Sequence, residues 1–295
     1  MGATETDESK LRAAQMIDFL QKAIGYSLTG VTSEKAVFIL WGTGDNGKTT
    51  LLELFRFLLE EYAVLLQVDT LMTKSHETNN THADLADLRG ARFVMTSETE
   101  KGQRLAEGKL KRITQGMGKI KAVRKYENPI QFAETHKLWM DANHKPIIRG
   151  TDNAIWNRLH LIPFTVTIPK AEQDRNLLEK LKDEADAILA WAVYGARRWY
   201  ESGLGKPDVV TAAIAGWRDE SDLFKDFIED CCESDAKAQC GVGDLRKAYV
   251  SWCEDNGTKP LDTRDFNQRL EEFGFQRQRD KSRRFWSGIA LSVTR

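Results

Sequence analysis

Gly42, Gly47, Lys48 and Thr49 stand at the spacing G-x-x-x-x-G-K-[ST] within WGTGDNGKTT. The chemistry of such a loop is phosphate binding: successive backbone N–H groups at a helix start cradle an anion, helped by the helix dipole. A lysine placed like Lys48 reaches the β/γ-phosphates, and a hydroxyl placed like that of Thr49 ligates Mg²⁺. The expected nucleotide-binding residues are therefore Gly42, Thr43, Gly44, Asp45, Asn46, Gly47, Lys48, Thr49 and Thr50. Phosphoryl transfer also needs a carboxylate at a neighbouring strand end, to hold the metal's water or polarise the attacking one. ARFVMTSETE supplies Glu98, favoured for catalysis and for metal binding beside Thr49, with Glu100 second. An exposed acidic strand end is the alternative for this pair. KLWMDAN ends in Asn143, a group able to orient a water or contact a γ-phosphate. An asparagine that only makes a turn is the alternative there.

These groups converge only if the chain delivers them to one edge. VFILW (37–41) reads as a buried strand entering the loop, and LLELFRFLLEEY as an apolar helix leaving it. LLQV (65–68), ARFVMTSE (91–98), KLWMDAN (137–143) and LHLIPFTV (159–166) are further short apolar strands, with helices between them. That alternation predicts an α/β fold with a parallel sheet covered on both faces, whose ligands bind at the carboxyl ends of the strands. SKLRAAQMIDFLQKAI (9–24) is helical, as is 171–200, where Leu177, Leu181, Ala185, Ile188 and Ala192 share a face. Gly203, Gly205 and Pro207 break the pattern.

The 295 residues include 43 basic and 44 acidic side chains, and 41% are hydrophobic, which describes an ordinary soluble globular protein. No apolar run has the eighteen or so residues of a membrane span, and no secretory segment opens the chain. A cytoplasmic setting without a membrane partner is expected. MGATET fits an acylation pattern through Gly2 and Thr6, with a start-site remnant as the other reading. The sequons Asn79–Thr81 and Asn256–Thr258 carry no weight without secretion. Cys231, Cys232, Cys240 and Cys253 lack zinc-ligand spacing and read as reduced intracellular thiols.

One stretch departs from this balance. KLKRITQGMGKIKAVRKY, residues 109–126, holds seven Lys or Arg and no Asp or Glu. A solvated helix face normally mixes signs. A basic surface that serves solubility or meets an acidic neighbour is the bland alternative.

The succession FILWGTGDNGKTTLLE, LADLRGARFVMTSETE, LKRITQG and THKLWMDANHKPIIRGTDNAIWNRLHLIPF resembles the superfamily 3 helicases. More narrowly, it is similar to the helicase part of phage, plasmid and poxvirus-type primase–helicases. The likeness runs from about Phe19 to Pro163 and continues more loosely through ILAWAVYGARRWYESGLG. It implies an AAA+-like P-loop ATPase using ATP and Mg²⁺, assembled as a ring, usually of six subunits, that moves 3′ to 5′ on single-stranded DNA. By position Lys48 and Thr49 fall in motif A, Glu98 in motif B and Asn143 in motif C. Arg158 falls where the family places an arginine finger acting on the neighbouring subunit's nucleotide, with a structural ion pair as its alternative.

The same likeness places a channel hairpin within the basic stretch. KIKAVRKYENPIQF reads as that hairpin, with its turn near Glu127-Asn128-Pro129. Lys119, Lys121, Arg124 and Lys125 would follow a phosphate backbone and Tyr126 would stack on a base or sugar. Two departures stand out: Gly116-Met117-Gly118 replaces the family's frequent Gly-Asp, and only about thirty residues precede the ATPase. Priming is therefore expected in a missing upstream part or in another chain.

Beyond about Ser221 a separate unit is expected: three helices, then a hairpin in RQRDKSRRFWSGIALS, together a winged helix that meets duplex DNA or a partner protein. Phe266, Leu270 and Phe273 should point inward, leaving Arg264, Asn267 and Arg269 outside. The divisions read from the sequence are a helical segment 1–29, an ATPase core 30–168, a helical lid or linker 169–215 and the winged helix 221–295. The leading functional expectation is a replicative helicase of a mobile element. The alternatives are an ATPase switch that loads or remodels replication proteins without unwinding, and a small-molecule kinase.

Overall fold

A computed structural model of the chain describes residues 7–73, 83–96, 98–124, 127–148, 150, 152–258, 260–280 and 283–292. The chain divides into two compact units, Met1–Ser221 and Asp222–Arg295. No helix among the described residues is long and apolar enough to cross a membrane.

In the first unit the elements run α1 (Asp7–Leu28), β1 (Val37–Trp41), α2 (Lys48–Leu59), β2 (Ala63–Leu66), α3 (Ala83–Ala86), β3 (Phe93–Thr96), α4 (Glu107–Ile113), β4 (Lys119–Ala122), β5 (Ile130–Ala133), β6 (Lys137–Ala142), α5 (Asn153–Trp156) and β7 (Leu159–Pro163). Three helices follow: α6 (Leu177–Asp183), α7 (Ala185–Ser202) and α8 (Asp208–Glu220). Five strands form one sheet in the order β2-β3-β6-β1-β7, parallel throughout. The apolar runs are continuous because the strands are covered on both faces. Val37 and Ile39 enter one hydrophobic cluster with Leu138, Met140, Leu159 and Leu161, while Phe38 and Leu40 enter another with Trp139 and Ile162.

The strand expected at 65–68 lies two residues earlier, because Val68–Thr70 coils into a 3-10 turn. The strands expected at 91–98 and 159–166 are shorter than read, spanning Phe93–Thr96 and Leu159–Pro163. Between α4 and β6 the chain turns back as an antiparallel pair, β4 against β5.

The N-terminal helix is held by α7 at a crossing that depends on two glycines. A Cβ on Gly25 would sit 2.0 Å from the Ala196 backbone nitrogen, and one on Gly195 would sit 2.0 Å from the Gln21 carbonyl oxygen. Backbone cannot move aside as a flexible side chain can, so Gly195→Ala should cost about 3 kcal/mol through overpacking. Gly216 in α8 has nothing within 4 Å of such an atom, and Gly216→Ala should raise stability by up to about 1 kcal/mol. Denaturant melts of the two variants should therefore shift in opposite directions.

The second unit consists of α9 (Leu223–Cys231), β8 (Cys232–Gly241), α10 (Val242–Asp255), α11 (Thr263–Glu272), β9 (Gln276–Arg279) and β10 (Arg284–Leu291). Its sheet is antiparallel in the order β8-β10-β9, and its core gathers Phe224, Phe227, Leu245, Tyr249, Phe266, Leu270, Trp286 and Ile289. Strand β8 was not expected. Only Cys232 and Cys240 along it are buried, and residues 235–238 fall between the pairings Ser234–Ile289 and Gln239–Ser287. A period of two therefore never develops.

Arg269 also departs from expectation. Instead of facing outward to a ligand, its guanidinium pairs with Asp222, and with Glu272 at 2.7 Å, over the rings of Phe224 and Phe273. The long stem lies along apolar surface while the head finds two carboxylates. Asp222 at the same time caps α9 by accepting from the Phe224 and Lys225 N–H groups.

Candidate active site

Strand β1 runs into the glycine-rich loop, and the Gly42 N–H extends the ladder by donating to the Ala142 carbonyl at 3.1 Å. A Cβ on Gly42 would lie 2.1 Å from the Phe164 carbonyl oxygen, so this position admits no side chain. Gly47 then turns the chain into α2 at φ 85°, a left-handed value that suits glycine. With no side chain to cap them, the first N–H groups of α2 are left for an anion.

Lys48 opens the helix and is 3% exposed. Its ammonium donates to the Gly42 carbonyl (2.8 Å), Asn46 Oδ1 (3.2 Å) and Asn143 Oδ1 (3.1 Å), and lies 3.7 Å from Asp141 Oδ1. Thr49 Oγ1 donates to Asp141 Oδ2 at 2.8 Å, and Asn143 Nδ2 donates to Glu98 Oε1. These groups form one connected polar network from β3 through β6 to α2. Asn46 is tied down by donating from Nδ2 to the Phe164 carbonyl.

The network faces a cavity of about 220 Å³ lined by residues 44–50 with Glu98, Asp141 and Asn143. Of the residues expected to bind nucleotide, Gly44 through Thr50 line it, while Gly42 and Thr43 stand at the loop's entrance outside the lining. Glu100 is exposed and outside it too, its N–H donating to Gln103 Oε1.

Asp141 was not foreseen. It is the one acid in the apolar run KLWMDAN, and that was the available signal, since a buried aspartate needs a partner. It is 8% exposed, and its Oδ1 is buried without a hydrogen-bond partner among the described residues. A hard divalent cation takes oxygen ligands from carboxylates, hydroxyls and waters. The orphaned oxygen of Asp141, the Thr49 hydroxyl and the Glu98 carboxylate fit that demand.

Arg158 lies elsewhere. Its carbonyl accepts from the Val37 N–H at 2.8 Å, which puts it at the start of β1, whereas the loop follows that strand's end. A five-residue strand separates the two edges, roughly 13 Å at the usual rise. Its guanidinium donates to the Thr114 carbonyl (3.3 Å) and the Ala154 carbonyl, so among the described residues it binds carbonyls and forms no ion pair.

In the hairpin the burial alternates, with Lys119 and Lys121 exposed and Ile120 and Ala122 in the core. Arg124 pairs with Asp87 at 2.6 Å across exposed surface, and Lys111 with Asp152 at 2.5 Å. Lys125 and Tyr126 lie outside the described residues, as do Gly2, Thr6 and the Asn79–Thr81 sequon.

A cavity at the carboxyl edge of a parallel α/β sheet, behind a glycine-rich loop, stands where open α/β folds bind their ligands. The model of a family of unknown function, DUF5906, matches residues 40–158, and that of the poxvirus D5 protein-like family matches residues 219–286. "Putative helicase L207/L206" of Acanthamoeba polyphaga mimivirus is 27% identical over 262 residues, 82% of this chain and 27% of that protein. "Putative helicase 022R" of Frog virus 3 is 27% identical over 81% of this chain and 26% of its own length. "Putative primase C962R" of African swine fever virus (isolate Tick/Malawi/Lil 20-1/1983) is 27% identical over 76% and 25%. The chain is thus similar to proteins named as putative helicases and primases of large DNA viruses, and it spans about a quarter of the length of these three. Its fold is shared with the NrS-1 C-terminal region in an apo structure, at a TM-score of 0.53 and 11% identity, over 98% of this chain and 77% of that one.

Proposed function

We propose that this chain is the ATP-hydrolysing motor of a replication helicase, working as a ring of identical subunits, with six as the expected number, around single-stranded DNA. The observation that carries this is the separation of Arg158 from the network joining Lys48, Asn143 and Glu98. A finger at the opposite sheet edge is out of reach of its own chain's nucleotide, which supports a role toward a neighbour's.

In this account Lys48 leaves the Asn46 and Asn143 oxygens for the phosphates, and the N–H groups of α2 receive the rest of the anion. Glu98 polarises the attacking water, and Asn143, already hydrogen-bonded to it, fixes its orientation. Mg²⁺ held by Thr49, Asp141 and Glu98 would supply charge neutralisation on the phosphate oxygens. Asp141→Asn should weaken binding of a fluorescent ATP analogue about tenfold in magnesium. In EDTA the same change should tighten binding, because it removes a negative charge beside the phosphates.

Lys119, Lys121 and Arg124, with Lys125 and Tyr126 beyond them, would meet the DNA backbone and bases. Exposed surface pairs such as Arg124–Asp87 are weak and exchange readily for phosphate. The order helix, strand, helix, helix, strand, strand in the second unit is that of a winged helix, with Arg277, Arg279, Arg283 and Arg284 exposed. It would dock duplex DNA or a partner protein. Strand displacement from a tailed duplex tests the whole reading. Wild type should separate the strands with ATP, and Glu98→Gln should bind ATP and DNA yet separate nothing. DNA-stimulated hydrolysis without displacement would instead assign the chain to loading or remodelling.

A further inference from the structure

The loop between α4 and β4 carries two consecutive left-handed residues, Gly116 at φ 77° and Met117 at φ 55°. Met117 is 78% exposed, so burial of its side chain does not hold that conformation. Hydrogen bonds do. The Met117 N–H donates to Thr32 Oγ1 at 2.7 Å, and Glu134 makes the rest.

Glu134 follows β5 directly and is 4% exposed. Its Oε2 accepts from the Gln115 N–H at 3.0 Å and the Gly116 N–H at 3.2 Å, and its own N–H donates to the Gly118 carbonyl at 2.9 Å. One residue at the hairpin's base thus pins the loop that begins the hairpin. Thr114, the residue just before Gln115, gives its carbonyl to Arg158 Nε.

We propose that Glu134 is a positioning residue that couples Arg158 to the base of the hairpin through the loop Thr114–Gly118. This rests on the reading above, in which Arg158 serves a neighbour's nucleotide and the hairpin holds DNA. When Arg158 swings toward that nucleotide it lets go of Thr114, and a buried carboxylate loses a nearby cation. The loop then shifts, and β4 shifts with it. Electrostatics point the same way. Burial pushes the Glu134 carboxyl up to about 7, opposed by the Gly116, Gln115 and Gly118 backbone groups and by the charge of Arg158. The other titratable groups facing it are Lys137, which burial pulls down to about 7, and Tyr26, which burial pushes up.

The test is the ratio of hydrolysis with and without single-stranded oligonucleotide, in the full chain, for wild type, Glu134→Ala and Glu134→Gln. Glu134→Ala should keep basal hydrolysis within about twofold while stimulation by DNA falls at least about fivefold. Glu134→Gln retains an oxygen acceptor for both N–H groups but not the charge, so it should show at every pH the reduced stimulation that wild type shows at about pH 6. The wild-type ratio should fall from about pH 8 to about pH 6 as the carboxylate protonates, and the glutamine variant should lack that part of the dependence. Should Glu134→Ala fail to fold, the two pH profiles decide alone. Equal stimulation in all three proteins, or superimposable profiles for wild type and Glu134→Gln, would overturn the coupling. Hydrolysis by wild type that ignores DNA at every pH would instead sink the reading of the site.

Discussion

Arg158→Ala should abolish ATP hydrolysis while leaving each chain able to bind ATP. The expected loss is about a thousandfold or more, the usual contribution of an arginine that neutralises charge on the transferred phosphate. The binding half of this result follows from position. Arg158 sits beside Val37 at the start of β1, and the cavity lies beyond Trp41 at its end. Among the described residues its side chain donates to the Thr114 and Ala154 carbonyls, so some loss of stability should accompany the change. Arg158→Lys controls for that: it keeps a cation and loses the planar fork, and it should hydrolyse poorly despite a normal melt. A variant without Arg158 that hydrolyses at the wild-type rate removes the shared site from consideration.

Lys48→Ala fails earlier, at binding. The side chain is buried with three oxygen acceptors and a carboxylate within 3.7 Å, so it is preorganised to meet an anion with little rearrangement. Losing such a preorganised charge should lower hydrolysis by at least about a hundredfold, together with the affinity for ATP. It has a second consequence, because Asp141 is left as a buried carboxylate with no cation. Breaking such a pair costs about 3–5 kcal/mol. The double variant Lys48→Ala/Asp141→Asn should therefore regain much of the lost stability and none of the hydrolysis, as read by thermal melts beside an ATPase assay. A single variant as stable as wild type would mean that Asp141 does not depend on Lys48.

Much of this site was legible in the residues. Each strand of the parallel sheet is a short apolar run because both faces are covered, and each run ends where its polar group emerges. Glu98 follows β3 and Asn143 follows β6 for that reason. The loop was legible because few residue types satisfy its geometry, Gly42 against Phe164 and Gly47 at positive φ.

What escaped notice is polar chemistry folded inward. Asp141 sits inside an apolar strand and shows its purpose only when α2 brings Lys48 and Thr49 beside it. Nothing in the sequence around Glu134 marks it out, because its partners are backbone N–H groups of the loop at Gly116. Arg269 is expected outside because Phe266, Leu270 and Phe273 take the inward face, but Asp222, far away in sequence, draws it back. Strand β8 has no alternation to read, since its pairing with β10 skips residues 235–238.

The most direct test of a nucleotide shared between subunits is to mix the two inactive variants. Lys48→Ala subunits retain Arg158, and Arg158→Ala subunits retain the cavity. A random ring then contains seams with both parts intact, on the order of a quarter of all seams at equal proportions. The account predicts that hydrolysis reappears on mixing and peaks near equal proportions. Mixtures that stay inactive at every ratio, under conditions where wild type assembles and hydrolyses, would contradict it.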